Sequence, residues 1–275
     1  MQLTKEKIEK AISEIRKEIK NFQISKKALV KFTDSETDKE FLSYIDGVGG
    51  YALKFLPSII EKLGIKSVLE LGNKEGVSTL CIWDHLPKDG KMITVDIDKD
   101  QRYCPDAMFK DPRVKFVFGD VSNPNIYEKV FPENIEFMYM DTIHYFFQAS
   151  DEFAVNKHFL ADKALVAVDD INLNDKRKFF DGLKYTKWDM TDLCHASGWG
   201  LFLFERDKEK TFEEKVKDAY IEATRIGFRK CEESERKVNE LKNKQLSKRI
   251  KDVLKKNKVT YKLGISISNF IKKFK

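Results

Sequence analysis

Several ingredients are scarce or missing in this 275-residue chain, and each absence narrows what it can be. The four cysteines, Cys81, Cys104, Cys194 and Cys231, show no C-x-x-C spacing, so neither a redox dithiol nor a zinc signature is present. A reducing cytoplasm suits them better than a disulfide framework. No apolar run reaches the roughly 18 residues of a membrane span, and the opening TKEKIEKAISEIRKEIKNF lacks the apolar core of a signal peptide. The expectation is a soluble cytoplasmic protein, or one held at the inner face of a membrane. The paired early glycines of G-x-G-x-x-G are absent too, which argues against a turn built for a pyrophosphate.

What is present is more specific. Ser67-Val68-Leu69-Glu70-Leu71-Gly72-Asn73-Lys74-Glu75-Gly76-Val77-Ser78-Thr79 reads as a buried strand, a glycine-punctuated turn and the start of a helix. Gly72 and Gly76 remove the Cβ atoms that would keep backbone from approaching a ligand. Glu70, at the strand end, places a carboxylate where a cationic ligand would be favoured. Further short apolar runs follow at Met92–Val95, Val114–Phe118, Ile135–Met140 and Ala164–Val168, separated by helix-length polar segments. That alternation predicts an α/β fold with a parallel sheet. Acids close four of the five runs: Asp96 and Asp98, Asp120, Asp141, and Asp169 with Asp170. In open α/β sheets this edge is the binding crevice.

The motifs LELGNKEGVST, TVDID, FVFGD, MDTIHYF and VAVDDIN, spanning Ser67 to Arg206, make the chain resemble the class I S-adenosylmethionine-dependent methyltransferases. Asp141-x-x-His144 with Asp169-Asp170 is similar to the metal-dependent sugar and natural-product O-methyltransferases, the cephalosporin-hydroxylase-like group. Here the first motif reads Asp-Thr-Ile-His where Asp-x-Asp-His is more frequent. The resemblance implies a Rossmann-like seven-stranded sheet, closed by a hairpin from Tyr185–Met190 and Gly200–Glu205. It implies S-adenosylmethionine as cofactor, bound by Glu70, Gly72, Gly76, Ser78, Asp96, Asp98, Asp120 and Val121. Glu70 would lie near the sulfonium-bearing methionine end. Asp96 would accept both ribose hydroxyls, and Asp120 would meet the adenine amino group. A strand-end cap for Glu70 and a helix cap for Asp120 are the plainer readings, and Asp96-x-Asp98 also spells a glycosyltransferase metal motif.

Three carboxylates at adjacent strand ends repel one another unless a cation or proton intervenes. Asp141, Asp169 and Asp170 are therefore the expected metal ligands, and all-oxygen ligation selects Mg²⁺ or Ca²⁺ over zinc. Against that stands the reading in which one acid caps a helix and another faces solvent. His144, with Asp141, is the catalytic expectation: an imidazole near pKa 6.5 can take a hydroxyl proton at neutral pH. His195 and Trp199 could border an acceptor pocket, and Tyr145, Phe146 and Phe147 either stack on a ring or join the core. His85 and His158 receive no role. The acceptor implied is a small molecule or glycan, with a sugar hydroxyl favoured. A metal-independent methyltransferase of protein or nucleic acid, and a non-catalytic cofactor-binding scaffold, are the alternatives. No Asn/Asp-Pro-Pro-Tyr tetrapeptide follows the fourth strand, which argues against methylation of base amino groups.

The organisation expected is an N-terminal helical segment over residues 1–63, a cofactor-binding domain over 64–206 and a basic helical or coiled-coil extension over 207–275. Ile8, Ile12, Ile15, Ile19 and Phe22 form a stripe at helical spacing behind a Thr4 cap. From Leu241 onward twelve basic residues face Asp252 alone, a net charge of +11 that leaves −5 for the first 240 residues of a chain whose total is +6. Interleaved with Tyr261, Phe270 and Phe274, that tail suits an anionic membrane surface. Self-association through helices is a further option, and nucleic acid ranks below both.

Overall fold

The computed structural model describes residues 3–22, 51–101, 103–127, 130 and 132–206. The polar stretch 33–40, the Gly47-Val48-Gly49-Gly50 sequence, Cys231 and the extension 207–275 with its tail lie outside them.

Helix α1 (Lys5–Glu18) forms where the stripe predicted it. Thr4 is extended and its hydroxyl accepts the Lys7 amide at 3.4 Å, Glu6 lies in the first turn and Arg16 and Lys17 in the last, all matched to the helix dipole. Ile8, Ile12, Ile15 and, just past the helix, Ile19 are buried. Each contributes about 2 kcal/mol by leaving water. Arg16 grips Asp192 through two bonds of 2.7 and 2.9 Å, which ties this end of the chain to the last connection of the sheet. Helix α2 (Ala52–Leu63) ends at Gly64, whose φ of +62° lets the Gly64 and Ile65 amides turn back onto the Glu61 and Ile60 carbonyls at 3.0 and 2.9 Å.

The remaining elements in order are β1 (Ser67–Leu71), α3 (Val77–His85), β2 (Lys91–Asp96), α4 (Asp106–Phe109), β3 (Val114–Phe118), β4 (Ile135–Met140), α5 (Phe146–Asn156), β5 (Leu160–Asp169), α6 (Lys176–Gly182), β6 (Thr186–Asp189) and β7 (Trp199–Glu205). They build one seven-stranded sheet in the order β3-β2-β1-β4-β5-β7-β6. β1 to β5 are parallel, while β7 runs antiparallel to both β5 and β6, the closing hairpin the sequence suggested.

Alternation along the strands divides the core into two layers. Val68, Met92, Phe137, Tyr139, Leu165 and Trp199 face α1 and α2, whereas Leu69, Val95, Met138, Val166 and Phe202 pack with Ala149 and Phe153 of α5 and Phe179 and Phe180 of α6. Trp199 is wholly buried, its ring 5.1 Å from that of Phe55, so it is a core residue and does not border a pocket as the sequence allowed.

Register decides where the site lies. Leu71 is level with Val95 and Met140, and Met140 with Val168. Gly72, Asp96, Asp141 and Asp169 therefore emerge side by side on the carboxyl edge, where the chain order reverses direction between β1 and β4.

Candidate functional site

The β1–α3 turn takes a left-handed backbone three times, at Gly72 (φ +85°), Lys74 (φ +45°) and Gly76 (φ +91°). A Cβ on Gly72 would collide with the Asp141 carbonyl, and one on Gly76 with the Cys104 sulfur. Both glycines are thus demanded by the chain's own neighbours, a reason the sequence reading did not contain.

Its acids hold this turn in place. Asp96 Oδ2 accepts the Asn73 and Lys74 amides at 2.8 and 2.6 Å, and its Oδ1 accepts the Asp98 amide at 2.8 Å. Glu70 is wholly buried and accepts hydroxyl bonds from Ser78, Thr79 and Thr94 at 2.6, 2.7 and 2.6 Å. Burial pushes its carboxyl up to about 7, against the downward pull of those three hydroxyls. Glu70 and Ser78, expected to touch the cofactor, are thus bonded to each other, fastening β1 to α3 and β2. Asp120 Oδ1 accepts the Ser122 amide and hydroxyl at 2.9 and 2.6 Å, which shapes a turn two residues long where the plainer reading had a helix cap. Val121 is buried and Asp98 exposed. Asn73 and Gln101, which sequence reasoning missed, complete the turn. Asn73 Nδ2 donates to Thr94 at 2.7 Å, and Gln101 Nε2 donates to the Asn73 side chain at 2.9 Å and to the Lys74 carbonyl at 3.1 Å.

On the β4–β5 side the arrangement is of another kind. Asp141 sits beside Asp169 and Asp170, and its carboxyl is held well above the usual range, first by burial, then by the Asp169 charge; the Lys176 charge opposes this. The Tyr139 hydroxyl donates to Asp141 Oδ2 at 3.2 Å. Asp170 adopts φ +53°, a left-handed backbone uncommon for a residue with a side chain. Its Oδ2 lies 3.0 Å from His144 Nε2. Burial would raise the Asp170 carboxyl, but the hydrogen bonds from His144 and Ser197 and the two nearby imidazoles hold it below the usual range.

The expected all-carboxylate metal set is regrouped. Among the described residues two clusters form, Asp141–His144–Asp170 and Asp169–Asp170–His195, each with its donor atoms within 4.8 Å of one another and both sharing Asp170. Each includes an imidazole beside the carboxylates, where the sequence reading had carboxylates alone. His195 Nε2 lies 2.9 Å from Asp169 Oδ1, and its Nδ1 lies 2.9 Å from Ser197 Oγ. Burial would lower the His195 imidazolium, but the bond to Asp169 and the Asp169 and Asp170 charges outweigh it and raise it.

Beneath the site, Glu152 is wholly buried and accepts from the Thr142 hydroxyl at 2.6 Å and Gln148 Nε2 at 2.8 Å, its carboxyl pushed up to about 7 by burial. Lys176 is wholly buried as well. Its ammonium has no hydrogen-bond partner among the described residues and acts on Asp141 and Glu152 through charge alone. Neither buried group was signalled by the sequence, because a lysine opening a helix is ordinarily solvated. At the rim, Ile143, Tyr145, Phe146 and Leu173 are exposed, and the rings of Tyr145 and Phe147 stack 5.9 Å apart, so these aromatics do not join the core.

Comparison with known proteins gives a consistent picture. A family model described as O-methyltransferase matches residues 5–118, and one described as methyltransferase domain matches residues 69–171. No curated protein matches the sequence. Among solved structures, the S-adenosylhomocysteine-bound Podospora anserina methyltransferase PaMTH1 is similar at a TM-score of 0.51 and 16% identity, over 75% of this chain and 99% of its own. A Corynebacterium glutamicum protein is similar at 0.50 and 9%, over 73% and 100%. An O-methyltransferase from Bacillus cereus, in complex with S-adenosylhomocysteine, scores 0.48 at 16%, over 68% and 100%.

Proposed function

We propose that the chain is a class I S-adenosylmethionine-dependent methyltransferase of the O-methyltransferase type, and that it methylates a hydroxyl with the help of a divalent cation at the β4–β5 edge. One observation carries the reading: an imidazole, His144, stands 3.0 Å from an acid, Asp170, inside a cluster that also holds Asp141, level with the glycine turn.

The donors fit a divalent cation. Asp141, Asp169 and Asp170 would hold it, and the crowding that raises the Asp141 carboxyl is what such a charge would relieve. A cation of this kind, when bound, lowers the pKa of a hydroxyl beside it; Mg²⁺ is the ion the family resemblance implies. The rest falls to the chain. Asp170 fixes the His144 ring through Nε2, leaving Nδ1 as the atom that takes the acceptor's proton. The preformed turn from Gly72 to Ser78 holds the methyl donor so that carbon and acceptor oxygen meet in line, and positioning supplies most of the acceleration. Exposed Ile143, Tyr145 and Leu173 give the acceptor an apolar wall while the acids address its oxygens. A vicinal diol of a sugar or glycosylated metabolite suits both features. The test is methyl transfer to a panel of sugar and aromatic vicinal diols by wild type and His144→Ala. The variant should still bind S-adenosylmethionine but lose transfer by on the order of 10²-fold or more, and an unimpaired variant would remove His144 from the mechanism.

The tail of twelve cations and interleaved aromatics supports a second, separable reading, docking on an anionic membrane surface. No helix among the described residues is long and apolar enough to cross a membrane. Sedimentation with anionic liposomes, compared between full-length protein and a chain truncated after Glu240, tests it. Binding to polynucleotide in place of lipid would favour the protein or nucleic-acid methyltransferase alternative.

A further inference from the structure

We infer that His195 is a ligand of the cation, and that the centre therefore selects a nitrogen-accepting divalent transition metal over Mg²⁺. The inference rests on the functional reading above and goes beyond the three carboxylates it names.

His195 belongs to the β6–β7 connection, 26 residues after Asp169, and folding brings it back to the strand end. Its Nε2 lies 2.9 Å from Asp169 Oδ1 and its Nδ1 4.0 Å from Asp170 Oδ1. The separation between Nε2 and Asp169 Oδ1 matches the edge of a coordination octahedron, about 3.0 Å for bonds of about 2.1 Å. Ser197 Oγ, 2.9 Å from Nδ1, is the partner that a ligating imidazole needs on its other nitrogen. With Nδ1–H donating to Ser197, a cation at this edge takes the place of the proton that Nε2 otherwise shares with Asp169 Oδ1.

The loop carrying His195 is fixed to the same segment as the acids. The Asn172 amide donates to the Ser197 carbonyl at 2.8 Å, the Ile171 amide to the Gly198 carbonyl at 3.1 Å, and the Gly198 amide to the His195 carbonyl at 3.0 Å. Gly198 has φ +92°, and a Cβ there would press on Asn172 and Ile171. The side chains of His195 and Asp169 are mostly buried, 11% and 13% exposed. The imidazole is thus presented on a loop pinned to Ile171 and Asn172, the residues directly after Asp169-Asp170. Hard, reluctantly dehydrated Mg²⁺ prefers oxygen, while imidazole suits first-row transition metals.

Calorimetric titration of full-length protein, freed of metal, with Mg²⁺ and separately with Co²⁺ tests this without any acceptor. His195→Ala should lose Co²⁺ affinity by about tenfold or more and leave Mg²⁺ affinity within about twofold. Pulsed electron paramagnetic resonance on the Mn²⁺-loaded protein should show coupling to imidazole nitrogen that disappears in His195→Ala and persists in His144→Ala. Mn²⁺ binding without nitrogen coupling, or an equal loss of Co²⁺ and Mg²⁺ affinity in His195→Ala, would overturn the inference and leave the functional reading intact. Failure of wild type to bind any of the three ions would overturn both.

Discussion

On the β1–β2 side of the crevice the acids serve the chain itself, whereas on the β4–β5 side they face one another. Glu70 and Asp96 accept three bonds each from hydroxyls or amides of their own neighbourhood, and Asp120 accepts two from Ser122. Asp141, Asp169 and Asp170 instead crowd together with two imidazoles and the ammonium of Lys176 within reach of their charge. The first half is a finished cradle held by its own bonds, and the second is an electrostatic arrangement that the proposed cation would complete. On the proposed reading, preorganisation means satisfied bonds in one half of the site and crowded charge awaiting a cation in the other.

Substitutions should separate the halves, beginning with the largest effect. Gly72→Val forces a β-branched residue into a left-handed backbone against the Asp141 carbonyl, and should cost at least about 3 kcal/mol of stability by denaturant titration and abolish S-adenosylmethionine binding by calorimetry. Wild-type stability in that variant would mean that the turn is softer than its bonds imply. Asp141→Asn should do the reverse. Its carboxyl is already held above the usual range, so an uncharged isostere should change stability by less than about 1 kcal/mol, while methyl transfer falls on the order of 10²-fold.

Asp96→Ala falls between these. Loss of three amide bonds should loosen the turn by about 1–3 kcal/mol and weaken cofactor binding by a similar amount. The remaining prediction is a pH dependence. Folded Glu70, raised to about 7, keeps a proton that the unfolded chain has released, so its contribution to stability declines as pH rises from the ordinary carboxylate range toward 7 and is level above it. Glu70→Gln should remove that slope, and an unchanged profile would show that the carboxylate is charged throughout.

Much of this was legible in the sequence, for physical reasons that also set the limits. The strands Val114–Phe118 and Ile135–Met140 end where the apolar runs end, although Lys115 and Glu136 interrupt those runs. Asp141, His144 and Asp170 converge because parallel register carries adjacent strand ends to one edge. By contrast, Asp96 reaching back to Asn73, His195 returning to Asp169 and Lys176 turning inward toward Glu152 depend on loop paths and side-chain rotamers. No periodicity encodes those. Even the glycines were recognised for a ligand's sake, while the structure adds the Asp141 carbonyl and the Cys104 sulfur as their neighbours.

The contrast between a finished cradle and an unfinished charge cluster is tested most directly by methyl transfer from S-adenosylmethionine to vicinal diols before and after exhaustive chelation, with cofactor binding followed in parallel. The account predicts that chelation abolishes transfer, that a divalent cation restores it, and that S-adenosylmethionine binds equally well in both states. Full transfer after chelation would contradict it.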